Sequence, residues 1–278
     1  MATDTTQVNT SNSFNGCIGF IGAGVMGTAL IKSFISIGVS SKQICISEKV
    51  VEKSKQLNSS LGVSEKSISE IAKECDLIIL AVKPQDLADT LNELGKTLPT
   101  KTLLISIAAG KTTSFIEQQI DKDNPVIRVM PNTPAQVGKG VSAISAGKFA
   151  SASDLAIATQ LLSASGLVVE IAESQQDAVT ALSGSGPAYF FKFVEEMIKS
   201  GVALGLAEDV ATKLAVGTIA GSAAMLQESG LDAATLRENV TSPNGTTAAA
   251  LNEFEKADLS KIINNAMTAA KKRAQELA

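Results

Sequence analysis

From about Gly16 to Val169 the chain alternates short apolar runs with mixed segments of helical length, and no other feature constrains its fold as tightly. The runs at 17–21, 44–46, 77–82, 102–107 and 126–130 are three to six residues long and carry few polar residues. A strand with no polar face must be covered on both sides, as inside a parallel sheet with crossover helices. The stretches between, such as 50–61 and 85–96, have the length of those helices. Later strands of the same sheet are expected at 141–145 and 167–171, flanking a helix over about 153–164. After Glu173 no β run is evident. Ala/Leu/Met/Lys/Glu-rich segments with a 3.6-residue period, broken at Gly201, Gly205, Gly230 and a 242–245 turn, predict five or six helices.

The sharpest local motif is Gly22-Ala23-Gly24-Val25-Met26-Gly27, directly after the first strand and directly before an amphipathic helix over 28–37. In such a G-x-G-x-x-G turn the first glycine permits the tight bend, and the second lets the backbone approach a pyrophosphate. The third lets helix and strand pack closely, and the phosphates meet the unpaired N–H groups of the helix start. The expected fold class is therefore α/β. A Rossmann-type dinucleotide-binding domain is expected over 16–172, then an all-α domain over 173–278, with a flexible polar tail over 1–15. Several helices of the second half, 215–226 among them, are apolar around most of their circumference. Such helices cover themselves against a second subunit, so a homo-oligomer is expected.

The end of the second strand bears on the choice of nucleotide. An Asp or Glu about 20 residues after the glycines binds the adenosine ribose of NAD. Here the strand ends in Ser47-Glu48-Lys49. With Ser47 at the tip and Lys49 beside it, the pocket accepts a 2′-phosphate and favours NADP. A slip of one residue places the Glu48 carboxylate there and reverses the preference. Lys53 either assists or is a solvated helix-face charge. Two further strand ends face the same crevice: Val82-Lys83-Pro84, which otherwise reads as an ordinary strand-to-helix turn, and Ala108-Ala109-Gly110, whose small residues leave room for a flat ring. The loop 130–134, fixed by two prolines, is expected to aim Asn132 and Thr133 at the cofactor.

Two motifs stand out in the helical half. The segment 182–189, Leu-Ser-Gly-Ser-Gly-Pro-Ala-Tyr, reads equally as a close helix crossing or a ligand contact. The segment 239–247, Asn-Val-Thr-Ser-Pro-Asn-Gly-Thr-Thr, leads into a clear helix. Ser242, Thr246 and Thr247 thus bring hydroxyls beside free N–H groups at a helix N-terminus. That suits a small carboxylate, at about 1.5–3 kcal/mol per hydrogen bond to the charged group. The alternative is a hydroxyl that caps its own helix.

Composition narrows the chemistry. The chain has no His, which removes Ser-His-Asp triads, Cys-His dyads, His-based zinc sites and a His acid. With 24 Lys+Arg against 28 Asp+Glu, only three Arg, no Trp and one Tyr, it is a poor nucleic-acid binder. Cys17, Cys45 and Cys75 are widely spaced in apolar surroundings and read as buried thiols of a reducing compartment, with no metal site expected. No apolar run approaches a membrane span, and the tail lacks the features of a secretory signal. A cytoplasmic location follows from that reading.

Taken together, the segments resemble pyrroline-5-carboxylate reductase, the last enzyme of proline biosynthesis. The matching pieces are Gly22–Gly27, 81–84, 108–110, 132–134, 177–189 and 239–247, in the family's order over nearly the whole chain. The last two are specific; the others are shared by many dehydrogenases. The resemblance implies an NAD(P)H-dependent oxidoreductase with a helical dimerisation domain, whose dimers often form decamers. It places the cofactor against Gly22, Ala23, Gly24, Val25, Met26, Gly27, Ser47, Val82, Lys83, Pro84, Ala108, Ala109, Gly110 and Asn239, with Lys49 added from the reading above. It places the substrate, pyrroline-5-carboxylate, against Glu173, Ser242, Gly245, Thr246 and Thr247, with Thr247 as the catalytic position near the imine nitrogen. The imine is protonated by solvent or a hydroxyl, which a chain without His allows. The substrate-facing groups are open to being the partner subunit's. Two departures stand out: Asn244-Gly245 replaces the family's more frequent Gly-Gly, and its ribose-contacting Asn before Ala81 has no clear equivalent. The competing readings are a β-hydroxyacid dehydrogenase or imine reductase using Lys192, which lacks the Asn that usually follows, and a non-catalytic NADP-binding protein.

Overall fold

The computed structural model describes residues 14–277, so the expected tail lies outside the described residues but for Phe14 and Asn15. The first half builds as β1 (Ile18–Ile21), α1 (Val25–Ser36), β2 (Ile44–Ser47), α2 (Val51–Leu61), β3 (Ser64–Glu65), α3 (Ile68–Glu74) and β4 (Leu77–Leu80). There follow α4 (Leu87–Gly95), β5 (Leu103–Ser106), α5 (Thr113–Ile120), β6 (Val126–Met130), β7 (Gly140–Ala146), α6 (Ala152–Leu162) and β8 (Gly166–Glu170). One eight-stranded sheet has the order β3-β2-β1-β4-β5-β6-β7-β8. β1 is central and pairs in parallel with both β2 and β4, which puts its carboxyl end at a topological switch point.

Alternate residues explain the apolar runs. Ile18, Phe20, Leu77 and Ile79 enter one core with Leu30, Ile31 and Phe34 of α1. Ile21, Ile78 and Leu80 enter a second core with Ile71 of α3, Leu87, Leu91 and Leu94 of α4 and Ile116 of α5. Each fully buried side chain of this size stabilises by about 1.5–3 kcal/mol. One feature differs from a uniform parallel sheet, β7 running antiparallel to β6, and the two-residue β3 adds an edge parallel to β2. β7 turns back because only the short loop 131–139 separates it from β6, too short for a crossover helix.

The chain forms two compact units, one of residues through Gly184 together with those from Ala270, the other Ser185–Ala269. The first unit continues past the change of character at Glu173, and its packing shows why. α7 (Gln176–Val179) buries Gln176, whose amide donates to Ser145 Oγ at 2.9 Å and Ala143 O at 3.3 Å. A π-turn over Thr180–Gly184 follows, and a Cβ on Gly184 would overlap the Met130 methyl. Beside it Arg128, 5 % exposed on β6, pairs with Glu173 at 3.6 Å and Asp177 at 3.4 Å. Removing the cation leaves two carboxylates facing each other across its vacated volume. Arg128→Met is therefore expected to cost about 2 kcal/mol, discounted because both acids keep some solvent. Urea unfolding would show a lowered midpoint that Asp177→Asn partly restores; an unchanged midpoint would count against the pairing.

The second unit is helical: α8 (Gly186–Ala203), α9 (Glu208–Glu228), α10 (Ala233–Asn239), α11 (Thr246–Lys256) and the start of α12 (Leu259–Glu276). Large apolar side chains stay exposed on it, among them Phe190, Phe191, Leu214, Val216 and Met225. Among the described residues no helix is long and apolar enough to cross a membrane.

Candidate active site

The β1–α1 turn assigns each glycine a physical task. Gly22 has φ +84°, its N–H donates to Ser47 O at 2.8 Å, and a Cβ there would stand 2.8 Å from Ala81 O. Only glycine holds that bend without displacing β4. Gly24 is the N-cap of α1, no side chain caps the helix, and a Cβ on Gly24 would meet nothing within 4 Å. The donors of the first turn, starting at the exposed Val25 and at Met26, therefore open onto free space. Gly27 lies close to Gly22, a Cβ there standing 3.0 Å from its carbonyl oxygen. An anionic group is stabilised at such a helix start by N–H bonds and the macrodipole.

A cleft of about 380 Å³ opens over this turn. Of the expected cofactor contacts it gathers Gly22, Gly24, Ser47, Lys49, Val82 and Lys83, and it adds Lys53 and Asp86. The register question at the end of β2 has a definite outcome. Ser47 is the last paired residue, opposite Ile21, yet Glu48 also lines the cleft. The reading of a Ser47 pocket without a carboxylate is thus corrected: Glu48 Oε2 accepts from Ala23 N at 2.9 Å, and its Oε1 from Val50 N at 3.1 Å. The buried Ala23 N–H is consequently not free for a phosphate. Lys49 Nζ reaches Asp86 Oδ1 at 3.2 Å in an exposed pair. Exposed pairs hold for at most about 1 kcal/mol, so Lys49 is available to another anion.

Pro84 opens a 3-10 turn over Pro84–Asp86, as a proline at a helix start does. Ala108 is buried, and the loop through Ala109 turns at Gly110 with φ +77° before α5. Asn132 departs from expectation. Its Oδ1 accepts from Val141 N at 2.8 Å and its Nδ2 donates to Ser183 O at 3.1 Å. Both ends of the amide are used in tying β7 and the 180–184 turn together, so it is not aimed at a cofactor. Glu173 is also engaged: Oε1 accepts from Thr113 N and Oε2 from Thr113 Oγ1, both at 2.7 Å, beside Arg128.

In the helical unit, Asp232 caps α10 by accepting from Thr235 N at 2.9 Å and Thr235 Oγ1 at 3.1 Å, and those bonds hold its carboxyl below its ordinary range. Asn239 ends this helix, exposed. The turn that follows ends at α11, whose N-cap is Gly245 with no side-chain cap. The reading of a hydroxyl that satisfies its own helix therefore does not hold here. Ser242 Oγ instead lies tight against Gly245, where any Cβ would overlap it. Asn244 takes φ +59°, a left-handed conformation that Asn adopts more readily than most residues. Thr246 and Thr247 are the first two helical residues, so hydroxyls and uncapped N–H groups share one helix start. Lys192, by contrast, stands exposed on α8 paired with Glu195 and Glu196, and the bond to Glu196 raises its pKa. A group held in the charged state is poorly suited to proton exchange at neutral pH.

Comparison with known proteins adds an independent line. Residues 173–277 match the family model for pyrroline-5-carboxylate reductase dimerisation, and 17–110 match that for NADP oxidoreductase coenzyme F420-dependent. A pyrroline-5-carboxylate reductase of Methanosarcina acetivorans is 40 % identical over 262 residues, covering 94 % of this chain and 97 % of its own. Among solved structures, the reductase of Coxiella burnetii superposes with a TM-score of 0.89 at 34 % identity, covering 96 % of this chain and 99 % of that one. The Plasmodium falciparum reductase, solved with NADP bound, gives 0.87 at 30 % identity, with 96 % and 99 % covered. Identity at this level along almost the full length of both partners leaves one assignment: the chain belongs to the pyrroline-5-carboxylate reductase family.

Proposed function

We propose that the protein reduces 1-pyrroline-5-carboxylate to L-proline with NAD(P)H, the last step of proline biosynthesis. The observation that carries this reading is the uncapped start of α11, where Thr246 and Thr247 follow Gly245 and Ser242, on a chain that also bears an open glycine turn. The substrate carboxylate is bound by the N–H groups and hydroxyls of Ser242, Thr246 and Thr247. The Thr247 hydroxyl orients the ring nitrogen, Glu173 and Gly245 complete the substrate contacts that the family likeness supports, and Asn239 belongs to the cofactor contacts. When bound, the reduced nicotinamide supplies a hydride to the C=N carbon. The protein's own task is then orientation and exclusion of water, and no buried acid is required.

The space above Gly24 and the cationic groups Lys49 and Lys53 fit a nucleotide with a 2′-phosphate, so NADPH is the preferred donor. Glu48 supports use of NADH as a second donor, since its carboxylate lines the same cleft. Gly22, Val82, Lys83, Pro84, Ala108, Ala109 and Gly110 form the remaining contacts. A Lys49→Ala/Lys53→Ala variant is expected to raise the KM for NADPH roughly tenfold, at about 1.4 kcal/mol, with the KM for NADH nearly constant. Steady-state assays with both nucleotides and pyrroline-5-carboxylate test this; equal losses with both would refute a 2′-phosphate role.

The exposed apolar side chains of α8 and α9 support a homo-oligomer, a dimer at least, with the decamer as the larger assembly. A light-scattering mass equal to one chain would overturn it. We place the enzyme in the cytoplasm, without nucleic-acid or membrane partners.

A further inference from the structure

Cys17, Cys45 and Cys75 lie far apart in sequence, but the fold brings their sulfurs together. The Cys17 and Cys75 sulfurs are 2.9 Å apart, those of Cys17 and Cys45 3.4 Å, and those of Cys75 and Cys45 3.9 Å. All three are free thiols; Cys45 and Cys75 are buried and Cys17 is half-buried. We propose that this cluster is a binding site for a thiophilic d10 cation, of the class of Zn(II) or Cu(I), held by three thiolates. It is separate from the chemistry proposed for the glycine turn.

The backbone builds the site. Cys45 sits on β2 opposite Gly19 of β1, and Cys17, two residues before Gly19, lies on the same face of the sheet. Gly19 leaves a notch that Ile71 and Cys75 fill, since a Cβ there would overlap the Ile71 side chain and stand 3.1 Å from Cys75 Sγ. Cys75 ends α3 and is fixed to Cys17 through Asp76, whose N–H donates to Cys17 O at 3.0 Å and whose Oδ2 accepts from Cys17 N at 3.0 Å. With metal–sulfur bonds of about 2.3 Å, thiolates in one coordination shell stand about 3.8–4.0 Å apart. Cys45 and Cys75 already have that spacing. Cys17 needs an outward shift of up to about 1 Å to match, and it is the least buried of the three.

Soft thiolates select such ions over Mg(II) or Ca(II). Three S–H bonds break, three sulfur–metal bonds form, and the protons pass to buffer with no change of oxidation state. Three thiolates around a divalent ion leave one net negative charge, and the cation on this side, Lys66, is itself paired with Glu74. The cluster precedes β1 and the glycine turn follows it, about 13 Å along a strand of four residues. Metal binding would clip the amino ends of β1 and β2 to α3, and leave the nucleotide cleft untouched.

The test uses the full-length, reduced chain, freed of metal by a chelator and titrated anaerobically with Cd(II) as spectroscopic probe. The expected result is sulfur-to-metal charge-transfer absorption that saturates near one equivalent per chain and survives desalting. A raised Tm and protection of three thiols from alkylation are expected with it. Cys17→Ser should weaken Cd(II) binding at least tenfold while the metal-free variant keeps the wild-type Tm and reductase activity. Cys17→Ala serves as the second variant if the serine perturbs folding. Competition by Zn(II) or Cu(I) at lower concentration than Cd(II) identifies the ion. Absent absorption, loss on desalting, or undiminished binding in both variants would overturn the site.

Discussion

Thr247→Ala is expected to lower kcat/KM for pyrroline-5-carboxylate by roughly ten- to a hundredfold while the dissociation constant of NADPH stays near its wild-type value. A hydroxyl bonded to a charged group contributes about 1.5–3 kcal/mol, which is that range of rate. The split between constants is the informative part. Thr247 stands on the first turn of α11, in the helical unit, whereas the glycine turn belongs to the other unit. A group that anchors and orients the substrate changes both KM and kcat for it, and leaves nucleotide binding alone. Thr247→Ser, which keeps the hydroxyl, should recover most of the activity. Wild-type kinetics in the alanine variant, measured by stopped-flow and steady-state NADPH oxidation, would remove Thr247 from the mechanism.

The second large effect is expected at Gly22. An alanine there must hold φ +84° and place its Cβ 2.8 Å from the backbone oxygen of Ala81, just past β4. The left-handed conformation alone costs about 1–2 kcal/mol, and the overlap adds to it, for a total of roughly 2–4 kcal/mol. Because the turn that moves is the one that opens onto the cleft, Gly22→Ala should both lower the Tm and weaken NADPH binding more than tenfold. Gly24→Ala is the control, since its Cβ would enter open space. It should leave the Tm nearly unchanged and affect only nucleotide affinity. Equal Tm values for Gly22→Ala and wild type would refute the geometric account of the motif.

The sequence was most legible where one physical cause dominates. The five first-half runs lie on β1, β2, β4, β5 and β6 within one or two residues, because residues covered on both faces leave a local signature. The roles of Gly22, Gly24 and Gly27 were likewise readable, since a strand, a bend and a helix start follow within ten residues. Strand direction was not: nothing in the composition of 140–146 records that it pairs antiparallel with β6. β3 is too short for any alternation to appear. Glu48 shows the same limit at a single residue. One position of register decides which side chain lines a pocket, and only the observed pairing of Ile21 with Ser47 and the bond to Ala23 N fix its place. Asn132, Arg128 and the three thiols depend on partners distant in the chain, so their bonds became visible only in three dimensions.

Hydride transfer itself is tested most directly by isotope. With NADPH dideuterated at nicotinamide C4 and pyrroline-5-carboxylate, the purified protein is expected to consume one nucleotide per proline formed, with one deuterium on proline C5. Nucleotide that binds without being oxidised, or proline formed without deuterium at that carbon, would contradict the account.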